Sequence, residues 1–188
     1  MTGFFILLII VVGIIVWGIA QYNRLIGLRN QTANGWKQID VQLKRRHDLI
    51  PNLVNTVRGY MEFEQETLQK VIAARNAAVS AAGVADAATK ENILSGALSR
   101  LFALAESYPQ LKANENVRQL QEELASTENK ISFARQFYND IATKFNIAQQ
   151  QFPGNLIAGM FGFAAAELFE VTDAAERAVP TVDLSLRK

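Results

Sequence analysis

From Gly3 to Ala20 the chain reads GFFILLIIVVGIIVWGIA, an eighteen-residue run without a charge, and Gln21 is the first strongly polar side chain after Thr2. As a helix rising about 1.5 Å per residue the run is roughly 27 Å long, close to the roughly 30 Å hydrocarbon core of a bilayer. A helix also satisfies its own backbone hydrogen bonds where water is absent. Residues 1–22 are therefore expected to form a single-pass transmembrane anchor, with Phe4, Ile10 and Trp17 in the span. Trp17 and Tyr22 fall at its C-terminal interface, where aromatic belts form. A cleaved signal peptide fits less well: the leading Met-Thr carries no cation, and Trp17-Gly18-Ile19-Ala20 makes a poor small-x-small cleavage site. Arg24, Arg29 and Lys37 follow the span and no Lys or Arg precedes it, a bias that favours a cytoplasmic body.

The remaining chain reads as helix almost throughout. Tyr22, Leu25, Trp36, Ile39, Leu43, Ile50, Leu53, Val57 and Tyr60 keep a three-four spacing, and Val54, Met61, Leu68 and Ile72 widen the stripe. One helix is predicted from the span to about Arg75, standing roughly 80 Å above the membrane if Pro51 only kinks it. Asn34-Gly35 and Gly59 are its weaker points. The Ala-rich stretch AAVSAAGVADAATKEN reads as a thinly packed connection. A second helix is predicted from about Ala88 to Ser107, stopped by Tyr108-Pro109. In a third, Val117, Leu120, Leu124, Thr127, Ile131, Ala134, Tyr138, Ile141, Phe145, Ala148 and Phe152 alternate steps of three and four, a coiled-coil-like seam. Polar residues within this repeat, including Thr127 and Asn139, suit a role in fixing its register. Asn116 with Gln119 is a candidate capping box at its start, and Phe152-Pro153-Gly154-Asn155 a turn at its end. A fourth helix is predicted from Asn155 through NLIAGMFGFAAAELFEV, too short in uncharged residues to cross a bilayer. After Pro180 the alternation of Val182, Leu184 and Leu186 suits a strand or an extended tail. The predicted class is all-α: the anchor, an elongated antiparallel bundle of about four helices over 23–179, and a tail over 180–188.

Two long stretches, DVQLKRRHDLIPNLVNTVRGYMEFEQETL and YPQLKANENVRQLQEELASTENKISFARQFYNDIATKFNIAQQQFPGNLIAGMFGF, followed by PTVDL, resemble the LemA family of bacterial membrane-anchored proteins. The likeness runs over nearly the whole chain in order, with Val117-Arg118 departing from the two apolar residues expected there. It implies a short N-terminal anchor in a bacterial inner membrane and an elongated helical body. The resemblance brings no enzymatic activity established for the family as a whole, and one branch of the family resembles proteins that build magnetosome membranes.

Residues 43–53, LKRRHDLIPNL, pose the sharpest local question. Lys44, Arg45 and Arg46 are candidates for an interface with a second subunit, where arginine makes bidentate pairs. The plainer alternative is a solvated face whose cations pair with glutamates of neighbouring helices. Lys44 lies over 30 Å beyond the span, out of reach of headgroups through a screening length of about 8 Å. Pro51 removes a backbone hydrogen bond and clashes one turn back, at a cost of about 3 kcal/mol in an isolated helix. The apolar stripe keeps phase across it, so a packed kink is expected, with Asp48 or Asn52 serving the freed groups; the alternative is a true break that starts a new helix with Pro51 near its first position. Leu156, Ile157, Met160, Phe161 and Phe163 read most plainly as the core face of the fourth helix, and the sharper alternative makes them the other interface candidates, surplus apolar surface that docks on another subunit. An up-down-up-down order would start that segment at the membrane-distal end, away from its own bilayer and facing a neighbouring subunit or a second, stacked membrane.

Chemistry has few residues to use. His47 is the chain's single histidine, and Lys44 stands where a Glu-x-x-His di-iron motif needs its glutamate. Cysteine is absent, which removes thiolate nucleophiles and sulfur-ligated zinc. No phosphate-binding or nucleophile-elbow motif occurs, so neither enzyme activity nor a cofactor is expected. A net charge of +1 lacks the basic field that nucleic-acid binding needs. The expected partners are the lipid bilayer and other copies of the chain, in a scaffold that organises membrane. The alternative is an adaptor presenting a helical face to another membrane protein, such as an envelope protease or stress component.

Overall fold

The computed structural model describes residues 2–61 and 64–170, and among these the regular structure is wholly helical. The elements are α1 (Thr2–Arg58), α2 (Gln65–Val79), α3 (Val84–Ala105), α4 (Pro109–Lys112), α5 (Glu115–Gln150) and α6 (Gly154–Met160). The expected tail over 180–188 lies outside the described residues.

The 57-residue α1 is about 85 Å long and runs without interruption from the apolar segment into the body. No residue of its apolar window is buried within the molecule. Further along, Leu25, Ile39, Leu43, Ile50, Leu53, Val54 and Val57 turn inward, as their three-four spacing dictates. The helix ends at Arg58, just before Gly59 and seventeen residues before the predicted end at Arg75. There Tyr60 and Met61 both donate backbone N–H groups to the Val57 carbonyl, and Met61 is folded fully into the core. Glycine is a poor helix former, and burying Met61 across the turn gains more than one further turn of exposed helix would.

That break reverses the direction of everything after it. The α2 helix descends along α1, setting Leu68, Val71, Ala74 and Ala78 against Ile50, Leu53, Val54 and Val57. The α3 helix climbs back beside it. The Ala-rich connection is shorter and better packed than expected: only Ser80–Gly83 leave the helix, Gly83 at φ 85, while Ala78, Ala87 and Ala88 are buried. Alanines permit close helix approach, so low bulk here signals tight packing rather than fraying. Tyr108-Pro109 does not merely stop the second helix. Pro109 opens the short α4, at the first helical position where its missing N–H costs nothing.

The 36-residue α5 then descends the full body alongside α1. Asn114 sits by Tyr60, Glu128 by Arg46, Tyr138 under Gly35, and Phe145 beside Leu25, so the two helices run in opposite directions. Its cap is Asn114, whose side-chain oxygen accepts from the N–H groups of Asn116 and Val117; the expected Asn116 box is not formed. A Cβ on Gly35 would lie 3.5 Å from Tyr138, so this glycine is a contact point, not a weak link. The predicted fourth helix survives only as the seven-residue α6, after which residues 163–170 run extended along α5.

Candidate functional site

The four residues Lys44–His47 divide by depth. Lys44 is exposed and pairs with Asp48 one turn on at 2.8 Å, lowering the Asp48 pKa through that hydrogen bond. Arg45 is half exposed, 3.8 Å from Glu123. Arg46 is only 3% exposed, which corrects its expected surface position. Its guanidinium reaches Glu128 at 2.9 Å, Ser95 Oγ at 2.8 Å and Glu91 at 3.4 Å. His47 is buried beside it, with Nε2 2.5 Å from Glu91 Oε1. One turn of α1 thus ties α3 and α5 together through a buried polar clamp. The pairing with glutamates of neighbouring helices was legible from the sequence; the inward turn of Arg46 and His47 was not, because four consecutive polar residues encircle a helix.

Pro51 lies inside α1, which continues through it. A proline lacks the N–H that would bond the carbonyl four residues back, here that of His47. Arg75 of α2 donates its Nε–H to this His47 carbonyl at 3.2 Å. The freed acceptor is therefore served from another helix, and not by Asp48 or Asn52. The missing bond becomes a socket that docks α2.

At the opposite end, α6 closes the foot of the body. Ile157 Cδ1 comes to 4.0 Å from the position of a Cβ on Gly18, and the Phe161 and Phe163 rings lie 4.7 and 5.9 Å from that of Tyr22. Gly154 and Ala158 are buried, with Ile157 and Phe163 partly buried against Leu25, Phe145 and Ala148. Leu156, Met160 and Phe161 face outward, Met160 at 75% exposure. The segment therefore starts next to the apolar end of α1, and not at the distal end expected from four alternating helices.

Residues 163–170 form a strap held by side-chain amides of α5. Asn146 donates to the Ala166 carbonyl at 2.9 Å and accepts from its N–H at 2.7 Å; Asn139 does the same for Phe169 at 3.0 and 2.8 Å. Seven helical residues and three extended residues both advance about 10 Å, so two asparagines one heptad apart match backbone groups three residues apart. Tyr138 Oη donates to the Glu167 carbonyl at 2.6 Å. Phe169, 2% exposed, packs against Trp36 and under Arg135. Asn139 thus fixes the strap rather than the register of a coiled-coil seam. Thr127, grouped with it in the sequence pattern, bonds the Glu123 carbonyl of its own helix.

Two further surfaces flank these parts. A cleft of about 580 Å³ separates α3 from α5, with Arg46, Ser95, Glu106 and Glu128 among its lining. Ser95 there is hydrogen-bonded to the Arg46 guanidinium and the neighbouring His47 imidazole is held by Glu91, so these two side chains do not form the nucleophile–base pair that covalent catalysis uses. Among the described residues no group of three or more His, Asp or Glu side chains is placed to hold a metal. On the opposite face, Val41 of α1 and Phe133 and Phe137 of α5 lie in a shallow groove edged by Lys37 and Lys130, with Phe133 74% exposed.

These features define a class: an all-helical protein led by an apolar helix that fits a membrane anchor, with its most elaborate polar contacts used to hold helices together. The chain belongs to the LemA family, whose pattern matches residues 35–184. It is 29% identical over 170 residues to Protein LemA of Metamycoplasma hominis, covering 88% of this chain and 76% of that one. It is also similar to Magnetosome protein MamQ 2 of Paramagnetospirillum magneticum, 24% identical with 93% and 74% covered. Magnetosome protein MamQ of Magnetospirillum gryphiswaldense is 21% identical, with 86% and 69% covered.

Proposed function

We propose that the protein is a non-enzymatic scaffold, anchored in the bacterial inner membrane by a single pass, that associates side by side with its own copies through the helical body and organises membrane. The observation that carries this reading is the union of an unburied span with the body in one unbroken helix, α1, so that the body's orientation is transmitted rigidly to the bilayer. Self-association is supported by the groove formed by Val41, Phe133 and Phe137, apolar surface that a solitary rod has little reason to expose. The absence of cysteine from the sequence gives a clean test, because Phe137→Cys introduces a single thiol into that groove. In detergent, Phe137→Cys chains should form disulfide dimers under mild oxidation, and light scattering of the unsubstituted chain should show a particle larger than one copy. Phe133→Glu should abolish dimer formation in the Phe137→Cys background, and Phe133→Glu with Phe137→Glu should reduce the scattering particle to one copy. A wild-type monomer at micromolar concentration overturns the proposal. Similarity to proteins named for the magnetosome agrees with a role in arranging membrane.

The adaptor reading draws on the exposed Lys44 and half-exposed Arg45 at the middle of the rod. It differs in outcome: charge reversal at these two positions would release a partner protein while leaving the oligomeric state unchanged.

A further inference from the structure

We propose that the foot of the body is itself a membrane-contacting collar: Phe152, Leu156, Met160 and Phe161 lie in the interface of the same bilayer that the anchor crosses. The inference rests on the anchor reading and goes beyond it, since a single-pass anchor by itself places no other part of the chain in lipid.

Position is the first argument. The apolar run of α1 ends at Ala20, and α6 touches α1 at Gly18 and Tyr22, on either side of that end. Any bilayer that accommodates the run brings its interface to the level of α6. The second argument is the faces of α6. Gly154, Ile157 and Ala158 turn toward α1 and α5, while Leu156 and Met160, spaced by four, line the outer side at 58 and 75% exposure, and Phe152, in the turn just before α6, is 79% exposed. That outer face is more apolar than water favours, and it is short, matching an element lying in the headgroup–acyl boundary rather than crossing it.

Charge selects lipid over a second protein copy as the occupant. Residues 3–39 and 141–166, which build this end of the molecule, contain Arg24, Arg29, Lys37 and Lys144 and no Asp or Glu. Arg24 and Lys144 line one groove with Gly27, Leu28 and Gln31, about one to three turns above the end of the apolar run. Arg24 and Lys144, paired in one groove above an apolar rim, suit anionic headgroups; a symmetric contact between two such ends would bring like charges together.

The experiment uses the full chain in vesicles of phosphatidylcholine and phosphatidylglycerol, with single cysteines carrying an environment-sensitive fluorophore at positions 10, 156, 160 and 133. Bromine-bearing acyl chains should quench the labels at 10, 156 and 160, and leave 133 bright. Quenching at 10 without quenching at 156 and 160 overturns the collar and leaves the anchor intact. Loss of quenching at 10 overturns the anchor reading, and the collar with it. Equal quenching at 133 also overturns the collar, since contact would not be confined to the foot. With Leu156→Ser and Met160→Ser, which change only the outer face, a label at position 152 should lose its quenching; unchanged quenching there counts against the proposal.

Discussion

Arg75 and Pro51 should be energetically coupled across two helices. The Arg75 guanidinium serves the one α1 carbonyl that Pro51 leaves without a helical partner, at 3.2 Å and partly buried. A hydrogen bond from a charged donor contributes about 1.5–3 kcal/mol net, and leaving its acceptor unpaired costs a similar amount. Arg75→Met should therefore destabilise the body by about 1.5–3 kcal/mol. In a Pro51→Ala background, residue 51 regains an N–H, the His47 carbonyl regains its helical bond, and Arg75 becomes nearly dispensable. There Arg75→Met should cost well under about 1 kcal/mol, a coupling of about 1–2 kcal/mol in the double-mutant cycle. Pro51→Ala alone should be neutral or mildly stabilising. The roughly 3 kcal/mol cost of an interior proline is here partly offset by Arg75 and by the proline's restriction of the unfolded chain. Urea titrations of the full chain in mild detergent, followed by helical circular dichroism, measure all four corners. An equal cost for Arg75→Met in both backgrounds would refute the reasoning.

Glu91→Leu should be among the most damaging single changes, because it strips a buried arginine and a buried histidine of a shared partner. A loss of about 3–5 kcal/mol is expected, part of it recovered in the Arg46→Met/Glu91→Leu pair, and thermal melts of the two variants beside wild type decide it. Asn146→Ala removes both bonds to Ala166, so hydrogen exchange at that amide should accelerate at least about tenfold with helix content unchanged; unaltered protection would show that the strap is held otherwise. Burial, and then the charge of Glu167, raise the Tyr138 pKa above its ordinary 10.0. The folded state thus prefers the neutral phenol, so this contribution is complete below about pH 10 and fades as pH climbs through the raised value. Alkaline melts of wild type should fall off in that window, whereas Tyr138→Phe should show a flatter profile from a starting point about 1 kcal/mol lower.

The amino-acid order alone determined the local facts. An uncharged run of eighteen residues dictates an apolar helix long enough to cross a bilayer, and strict three-four spacing dictates the buried seam of α5 from Val117 through Ala148. Even Gly59 is legible as a weak point. Whether the chain stops there or continues depends on a comparison no local pattern contains: the burial of Met61 across the turn against one more turn of helix. Tertiary packing decided that comparison, and with it the direction of every later element, so α6 arrives beside the apolar end of α1 rather than at the far end. The same limit hid the roles of Arg75, Asn139 and Asn146, whose partners lie 28, 30 and 20 residues away. A side chain's type announces that it needs a hydrogen bond. Only the folded chain supplies the acceptor, because distance in space is fixed by packing and not by separation along the sequence.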